Sequence, residues 1–442
     1  MDPGPRTADP AGLDGAPARA GDPRWVREAG GGGRPLCACG HAAPNDDPAV
    51  TSVRASAPGK LILMGEHAVV YGRPALIAAV DLRLSARFVT PGPAAGAVAI
   101  RMGGPGHDVE KSWPDLIEYA RSARERWELY AETPTPERFR ALRGDDPAHL
   151  VKLGLGEAAS YLAEEAGDAR GRPDVPSGGA LPEDPVLPGL RLEVESEIPM
   201  GRGLGSSAAV AVSVVAGCLR MSGADPPVEV FERLALEVER RQHGLPSGVD
   251  GAAVLHGGLI WAERDQPGEL LIRTLPAVGQ ALSPFRVFDT GASPHSTGTV
   301  VAAVRERVAS EPERYEALFE RMDRATRRFR DALLDDVRSG EMEIACLREY
   351  EASLEELGVV PGAVRELVRR VEAEGGAAKI SGAGALEGPG ALEAAGTLEG
   401  PGAGCLLVYH PDPDAIASWG FLEGLERYPV TLGGPGLRLE SE

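Results

Sequence analysis

The amino-acid sequence predicts an α+β protein of two lobes, and three observations favour this fold class. An alternating run from Leu190 to Ile198 is typical of a strand, and a glycine-rich turn joins it to a small, apolar helix from Ala208 to Cys218. The C-terminal half has long charged amphipathic helices within Val300–Val337 and another helix at Val364–Glu374, before a buried strand at Cys405–Tyr409. This helix-then-strand order indicates helices packed against a sheet. The length of 442 residues suits two or three domains.

In chain order, the first segment predicts no regular structure. Residues 1–50 are rich in Pro, Gly, Ala and Asp, and we interpret them as a disordered tail. Folded sequence begins near Ser52 with strand-like segments, and helical patterns follow at Trp113–Leu129 and Pro147–Glu165. A Pro- and Gly-rich connection from Gly167 to Pro188 is typical of an exposed loop.

Beyond the glycine-rich turn, a further helix and two short strands are predicted. Pro226 and Pro227 introduce the helix, and His243 with Gly244 ends it. The segment Leu245–Asp250 then reads as a turn. The strands follow at Leu259–Ala262 and Phe285–Asp289.

Composition excludes several classes of partner. The formal net charge is −20, from 46 basic and 66 acidic residues, which disfavours nucleic acid or an anionic membrane as the main partner. Five cysteines do not suggest a disulfide framework in a chain of this length. No apolar run approaches the roughly 20 residues that span a bilayer, and the N-terminus lacks an apolar signal core. We therefore expect a cytoplasmic protein.

The glycine-rich turn is the strongest candidate for an anion site. Gly201, Gly203 and Gly205 allow the backbone to approach a ligand, and the N–H groups of the following helix N-terminus then point towards it. Ser206 and Ser207 add hydroxyls that can bond phosphate oxygens or a Mg²⁺ ion. Three alternate glycines alone would favour a plain strand-to-helix turn, whereas the two serines favour phosphate. The pattern matches neither the P-loop nor the dinucleotide fingerprint.

Three charged residues could serve a phosphate chemistry, although each also has an ordinary structural interpretation. Lys60 is a candidate cation, or simply an exposed lysine at a strand start. Glu239 is a candidate Mg²⁺ ligand, or a solvated carboxylate on a charged helix. Asp250 could take a proton from a substrate hydroxyl, or could stabilise a turn beside glycine.

A low-complexity segment interrupts a second glycine-rich turn that begins at Lys379. Residues 384–389, 390–395 and 396–401 are three near-copies of one hexapeptide. We interpret the 18 residues as an insertion in a loop, and we expect this excursion to point to solvent. Gly382–Gly384 and Gly402–Gly404 would then form the base of the turn.

Jointly, four motifs resemble those of the GHMP small-molecule kinases, and most closely the members that phosphorylate mevalonate. The motifs are Ser56–Gly72, Ile198–Ala209, Glu239 with His243–Asp250, and Lys379–Gly384. The resemblance implies the two-lobed GHMP kinase fold, with a ribosomal-protein-S5-like N-terminal lobe at 51–283 and a ferredoxin-like C-terminal lobe at 284–442. It departs from the family where the insertion at 384–401 splits the last motif, and residues 95–125 show no convincing adenine-binding motif.

The resemblance also implies roles for individual residues. Asp250 would be the general base, and Lys60 would stabilise its charge and the developing alkoxide. ATP is the implied co-substrate and Mg²⁺ the implied cofactor, held by Ser207 and Glu239. The implied residues at the mevalonate end are Glu66, His67 and Thr297. The implied nucleotide-binding residues are Ser196, Gly201, Arg202, Gly203, Leu204, Gly205, Ser206 and Ser207.

The expected activity is phosphorylation of the primary hydroxyl of mevalonate to 5-phosphomevalonate, with small molecules as partners. The resemblance is also compatible with a homodimer. Other members that act on phosphomevalonate, a sugar or homoserine fit less well. From a different class, a non-catalytic binding protein with the same fold is an alternative. The interrupted last motif favours that alternative, and the intact Lys60, Ser207, Glu239 and Asp250 oppose it.

Overall fold

The computed structural model describes residues 24–25, 52–90, 92, 94, 96–103, 108–170, 188–244, 246–264, 270–276, 279–386 and 402–442. Its strands are β1 Arg24–Trp25, β2 Ser52–Met64, β3 Ala75–Val89, β4 Ala97–Met102, β5 Asp108–Ser112, β6 Leu190–Ser196, β7 Leu259–Arg264, β8 Leu270–Leu275, β9 Phe285–Asp289, β10 Ala377–Ser381, β11 Cys405–Tyr409, β12 Arg427–Tyr428 and β13 Arg438–Ser441. Its α-helices are α1 Trp113–Glu132, α2 Pro136–Arg143, α3 His149–Arg170, α4 Ser206–Met221, α5 Val228–His243, α6 Val249–His256, α7 Gly279–Leu282, α8 Thr297–Ser310, α9 Pro312–Leu334, α10 Glu341–Leu357, α11 Gly362–Ala373 and α12 Pro413–Ala417. Short 3₁₀ helices lie at Ala68–Tyr71 and Gly420–Leu422.

The first sheet is built around β3. This long strand pairs antiparallel with β2 along one edge, and with β7 and then β6 along the other. The outer positions are taken by β8 beside β7, and by β4 and β5 beyond β6. The pairing of β2 with β3 shifts register between Pro58 and Gly59, because proline has no N–H to give to the ladder. The residue that follows this irregularity is Lys60.

Helix α4 is the buried centre of the first lobe. It packs on β2 and β3 and is covered by α3, α5 and α6. Its small residues allow this close approach: a Cβ on Gly217 would lie 2.1 Å from the ring of Phe88 in β3. Because α4 is held on all sides, the position of its N-terminus at Ser206 is fixed by the core.

The second sheet is antiparallel, in the order β10-β11-β9-β12. Helices α10 and α11 pack on β10, and α9 packs on α10. The last strand, β13, leaves this lobe and pairs with β2 in the first sheet. The predicted α+β class is therefore confirmed, while the division of the chain at residue 284 stays a prediction.

Most predicted elements are present with small changes of boundary. The strands at Phe285–Asp289 and Cys405–Tyr409 have the predicted bounds, and the helix predicted from Ala208 begins two residues earlier. One difference affects the site: Asp250, predicted in a turn, lies in the first turn of α6, because Gly248 caps this helix with a φ of 82°. No helix in the described part of the chain is long and apolar enough to cross a membrane.

Three predicted segments fall largely outside the described residues. Of the predicted loop from Gly167 to Pro188, residues 171–187 lie outside, and helix α3 continues to Arg170. Of the predicted tail, only Arg24–Trp25 is described, as a two-residue strand parallel to β8. Residues 387–401 of the hexapeptide insertion also lie outside the described residues.

Candidate active site

The glycine-rich turn lies between β6 and α4, as predicted. Gly201, Gly203 and Gly205 have φ values of 72°, 78° and 77°, a region in which residues with a side chain are strained. Gly205 is the residue that caps α4, so the first N–H groups of this helix face the turn. The turn therefore offers backbone donors and the positive end of a helix dipole to an anion.

Lys60 is buried beneath this turn rather than exposed at a strand start. Its backbone N–H donates to the carbonyl oxygen of Leu204 at 2.9 Å, and only 4% of the residue is accessible. Its aliphatic stem runs alongside Gly205, where a Cβ would lie 2.6 Å from Cγ of the lysine. A glycine is required at 205 both for its φ and for the passage of this side chain.

The ammonium group of Lys60 meets the carboxylate of Asp250. Nζ lies 3.1 Å from Oδ1, and the Asp250 side chain is 39% exposed while that of Lys60 is 5% exposed. The aspartate can therefore be reached by a ligand while the lysine holds it from below. This geometry suits a carboxylate that takes a proton and a cation that stabilises the resulting charges.

Glu239 lies on α5 close to this pair. The residue is 3% exposed, and its Oε1 has no hydrogen-bond partner within the described residues. The pKa of its carboxyl group is raised to about 8, mainly by burial and also by the charge of Asp250, while Lys60 opposes the shift. A buried carboxylate with an orphaned oxygen, next to a second carboxylate, is an environment that a divalent cation would stabilise.

Ser207 is linked to α5 through His243, a residue that the sequence analysis treated only as a helix end and part of a motif. The hydroxyl of Ser207 and Nε2 of His243 are 2.9 Å apart. His243 follows Glu239 by four residues, so both lie on one face of α5. That spacing was the available signal for placing His243 in the site.

Ser207 and Glu239 fit a Mg²⁺ ion that takes its remaining ligands from elsewhere. Within the described residues, no group of three or more His, Cys, Asp or Glu side chains could hold a metal. Mg²⁺ commonly binds through one or two protein oxygens together with water and substrate phosphates. A hydroxyl and a carboxylate beside a phosphate site are consistent with that mode of binding.

The second glycine-rich turn lies directly against the first. A Cβ on Gly203 would come within 3.1 Å of the carbonyl oxygen of Ser381, and one on Gly404 within 2.9 Å of that of Arg202. The flanks of the insertion therefore remain next to the candidate phosphate site. Three residues of the insertion itself also differ from the predicted solvent excursion: Gly384–Leu386 continue the folded chain, and Ala385 is fully buried.

Glu66 and His67 follow the end of β2. Glu66 is almost fully buried and forms an ion pair with Lys379, whereas its Oε2 has no hydrogen-bond partner within the described part of the chain. His67 donates from Nε2 to the carbonyl oxygen of Ala383 at 3.0 Å. Its φ of 60° makes it the one non-glycine residue of the described chain with a positive φ. Such strain is typical of a functional site.

The remaining candidates are placed at the margin of the site. Thr297 is exposed at the first position of α8. The hydroxyl of Ser196 accepts a hydrogen bond from the N–H of Ile198 at 3.1 Å, which shapes the approach to the glycine-rich turn. Arg202 directs its guanidinium group to Asp289 in β9 rather than into the anion site, because its Nε lies 2.7 Å from Oδ2 of that residue.

Helices α1 and α2 form one side of the site through Trp127, Tyr130 and Phe139, here called the α1–α2 wall. The sequence analysis did not predict it. Nε1 of Trp127 donates to the carbonyl oxygen of Gly244 at 2.6 Å. The ring of Tyr130 also packs on Gly244, and the ring of Phe139 lies near Gly298 beside Thr297. The wall therefore reaches from the loop before Asp250 to the start of α8.

Comparison with known proteins agrees with this geometry. Residues 155–258 match the family model described as "GHMP kinases N terminal domain". The chain is 31% identical to the mevalonate kinase of Pyrococcus furiosus over 339 residues, covering 75% of this chain and 86% of that protein. It is 30% identical to the mevalonate kinase of Mus musculus over 361 residues, covering 74% of this chain and 83% of that protein.

Solved structures give the same assignment of fold. The mevalonate kinase of Methanococcus jannaschii superposes with a TM-score of 0.59 at 16% identity, covering 86% of this chain and 98% of that one. The L. major mevalonate kinase in complex with R-mevalonate gives 0.54 at 18% identity, covering 86% and 95%. The solved structures establish the fold, and the more similar sequences establish the family. The chain belongs to the mevalonate kinases of the GHMP kinase family and is an ATP-dependent small-molecule kinase.

Proposed function

We propose that this chain transfers the γ-phosphoryl group of ATP to the primary hydroxyl of mevalonate, giving 5-phosphomevalonate. The observation that carries the proposal is the Lys60–Asp250 pair at 3.1 Å, next to the glycine-rich turn and the buried carboxylate of Glu239. The similarity to mevalonate kinases over most of their length supports mevalonate as the acceptor.

In the proposed reaction, Asp250 takes the proton of the acceptor hydroxyl as the hydroxyl oxygen bonds to the γ-phosphorus. The bond from that phosphorus to the β-bridging oxygen breaks, and ADP leaves with the electron pair. The Lys60 ammonium group stabilises the developing alkoxide from its buried position. Phosphoryl transfer depends mainly on positioning and charge stabilisation, which these two side chains supply.

The glycine-rich turn and the start of α4 hold the phosphates in this proposal. Backbone N–H groups of Gly201–Ser207, together with the Ser206 hydroxyl, bind the phosphate oxygens. Ser207 and Glu239 would hold Mg²⁺, which would supply charge neutralisation for the phosphates. His243 fixes the hydroxyl of Ser207 towards α5 through their 2.9 Å contact.

Glu66, His67 and Thr297 bind the rest of the acceptor in this proposal. Mevalonate carries a tertiary hydroxyl, which can donate to a carboxylate, and the unpaired Oε2 of Glu66 is such an acceptor. Because Glu66 is almost fully buried, the acceptor can reach Oε2 only after the segment around Glu66 opens. The α1–α2 wall, through Tyr130 and Phe139, offers apolar surface to the methyl group of mevalonate.

A coupled assay of ADP formation tests the proposal. Wild-type enzyme with Mg²⁺ and ATP is supplied separately with mevalonate, phosphomevalonate, galactose and homoserine. We expect turnover with mevalonate, loss of turnover in Asp250→Ala, and loss with EDTA that added Mg²⁺ restores. Preference for another acceptor would assign a different kinase activity, and no acceptor-dependent turnover would favour the non-catalytic alternative.

Two further features are proposed, the first on the family resemblance and the second on the composition of the sequence. We propose that the chain forms a homodimer, which sedimentation of the purified protein would test. We also propose a cytoplasmic location, which fractionation of the source cells would test. A monomer, or enrichment in another fraction, would contradict the respective proposal.

A further inference from the structure

A buried ion pair joins the two lobes behind the candidate site. Lys379 of β10 and Glu66, which follows β2, form this pair with side chains 0% and 1% exposed. The lysine also donates from Nζ to the carbonyl oxygen of Ile380 at 2.6 Å. Glu66 precedes His67, and Lys379 lies shortly before the second glycine-rich turn. The ion pair therefore fixes the segment that follows β2 against this turn.

Ser381 makes a second connection between the same two strands. Its hydroxyl accepts from the backbone N–H of Ile62 at 3.1 Å and donates to the carbonyl oxygen of Ile62 at 3.0 Å. Ile62 lies two residues after Lys60 on β2. On the other side, the carbonyl group of Ser381 lies against Gly203 in the glycine-rich turn. One serine therefore touches both the strand that carries Lys60 and the turn that would bind phosphate.

Helix α10 supports this connection from the second lobe. The hydroxyl of Tyr350 donates to the carbonyl oxygen of Glu66 at 2.9 Å, and its ring lies 5.6 Å below the ammonium group of Lys379. Oε2 of Glu351 accepts from the N–H of Ile380 at 3.1 Å. Both residues are fully buried, so the ion pair is enclosed by groups that fix its geometry.

Such a buried pair is a weak source of stability, since desolvation of two charges offsets most of their attraction. Its contribution here is one of position, because Lys379 precedes the second glycine-rich turn and Glu66 precedes His67. The connection also holds His67, whose strained backbone needs support from its surroundings. The contact of His67 with Ala383 is a third link to the second glycine-rich turn.

We propose that Lys379 and Ser381 are positioning residues of the phosphoryl transfer. They act through Glu66 and Ile62, and they hold the second glycine-rich turn and Lys60 in position relative to the phosphate-binding turn. The inference rests on the proposed function for the identity of the acceptor. It predicts losses in kcat rather than in nucleotide affinity, because a misplaced reacting group costs rate even where the ligand still binds.

Lys379→Met is the first test, and Lys152→Met is its matched control. Lys152 is also a buried lysine, paired with Asp146 at 2.6 Å and lying 5.4 Å from the ring of Tyr119, but it belongs to α3. We expect Lys379→Met to lower kcat by about 10- to 100-fold with little change in the KM for ATP. We expect Lys152→Met to lower the melting temperature while kcat stays near the wild-type value. Equal kcat in both variants would overturn the inference.

Ser381→Ala provides a milder test if Lys379→Met fails to fold. It removes the two contacts with Ile62 without leaving a buried charge, and Ser381→Thr should restore part of the lost kcat because it keeps the hydroxyl. A normal kcat for Ser381→Ala would overturn the role of Ser381.

Hydrogen–deuterium exchange separates this inference from the proposed function. In Lys379→Met and Ser381→Ala, exchange should become faster at residues 200–205, and in Lys152→Met it should stay unchanged there. The measurement needs no acceptor, so it can succeed even where wild-type enzyme does not turn over mevalonate. Unchanged exchange at 200–205 in both variants would contradict the inference.

Discussion

Nζ of Lys60 lies 3.1 Å from Oδ1 of Asp250, and the two residues approach from different elements of the first lobe, β2 and α6. The lysine is buried, whereas the aspartate is partly exposed at the cleft. This asymmetry supports the proposed reacting role of the aspartate, because it is the more accessible of the two side chains.

Replacement of Asp250 should therefore abolish transfer and spare nucleotide binding. Asp250→Asn keeps the shape of the side chain but cannot take a proton, and loss of a general base typically lowers kcat about 10²–10⁴-fold. Nucleotide affinity, measured by equilibrium titration, should stay close to wild type since the carboxylate faces the acceptor. Asp331→Asn, on the exposed surface of α9, is the control. Near-normal turnover of Asp250→Ala would remove the role assigned to this residue.

Gly205→Ala should lower kcat by displacing Lys60. The new Cβ would lie 2.6 Å from Cγ of the lysine, closer than real contacts allow. Gly223 is a matched control at the other end of α4, because its φ is 80° and a Cβ there would meet nothing within 4 Å. Both alanines carry the backbone cost of a left-handed conformation, about 1–2 kcal/mol. Equal kcat for Gly205→Ala and Gly223→Ala would show that the passage of Lys60 beside Gly205 is unimportant.

Glu239→Gln should raise the Mg²⁺ concentration needed for half-maximal activity. The amide keeps the volume of the side chain and loses its charge, so Mg²⁺ loses one of its two proposed protein ligands. We expect an increase of at least about tenfold, since even outer-shell partners of a metal typically contribute 10–100-fold in affinity. Glu229→Gln, exposed in the first turn of the same helix, is the control. An unchanged Mg²⁺ titration would exclude Glu239 as a ligand.

The sequence could predict the parts of this site that depend on local pattern. Gly201, Gly203 and Gly205 adopt positive φ. A strand before them and a helix after them follow from the hydrophobic pattern, so the phosphate-binding turn is a local property. The proximity of Lys60, Glu239 and Asp250 is not local, and it was reached through the resemblance of the motifs. In the structure, these residues approach each other because α5 and α6 pack around α4.

Other features depend on contacts that no local pattern reveals. Glu66 meets Lys379 across more than 300 residues of sequence. Glutamate and lysine are residue types that usually lie on the surface, so neither one indicates a buried pair. Trp127 lies on a helix that was predicted without a role in the site, and Phe139 lies on α2, which was not predicted. The contact of Ser207 with His243 could have been found, because Glu239 and His243 are one helical turn apart and Glu239 was already a candidate.

The protein should become less stable as the pH is lowered, because of His67. Burial lowers the pKa of its imidazole to about 4, and the charges of Arg307 and Lys379 act in the same direction. Above its ordinary pKa of about 6.5 the ring is neutral in both states, so no penalty exists there. As pH falls from about 6.5 to about 4, the unfolded chain binds a proton that the folded chain does not. The folded state then loses up to about 3 kcal/mol.

His67→Asn isolates this contribution, because asparagine does not titrate and tolerates the left-handed backbone better than most residues. The difference in unfolding free energy between wild type and the variant should decline from pH 7 to pH 4, as measured by denaturant titration at each pH. A difference that stays constant over this range would contradict the protonation argument.

The flanks of the hexapeptide insertion define how much of it can be removed. Gly384 accepts a hydrogen bond at its carbonyl oxygen from the hydroxyl of Ser293 at 2.9 Å, and the N–H of Ala385 donates to Val359 at 2.9 Å. At the other end, Ala403 donates to the hydroxyl of Thr290 at 2.9 Å. These bonds tie residues 384–386 and 402–404 to the second lobe, so the first hexapeptide is partly structural.

Replacement of residues 387–401 by a short Gly-Ser linker should preserve both stability and activity, whereas deletion of 384–401 should not preserve stability. The shorter change keeps every flanking hydrogen bond, and loop closure costs only about 0.6 kcal/mol per doubling of length, so the linker is tolerated. It also removes three negative charges, those of Glu387, Glu393 and Glu399, and losing negative charge does not weaken phosphate binding, so kcat should stay level or rise. The longer deletion removes buried Ala385 and its bond to Val359, and it should lower the melting temperature. Thermal unfolding and the coupled assay on both variants measure these outcomes. Loss of activity in the linker variant, with an unchanged melting temperature, would show that the repeat itself takes part in the reaction.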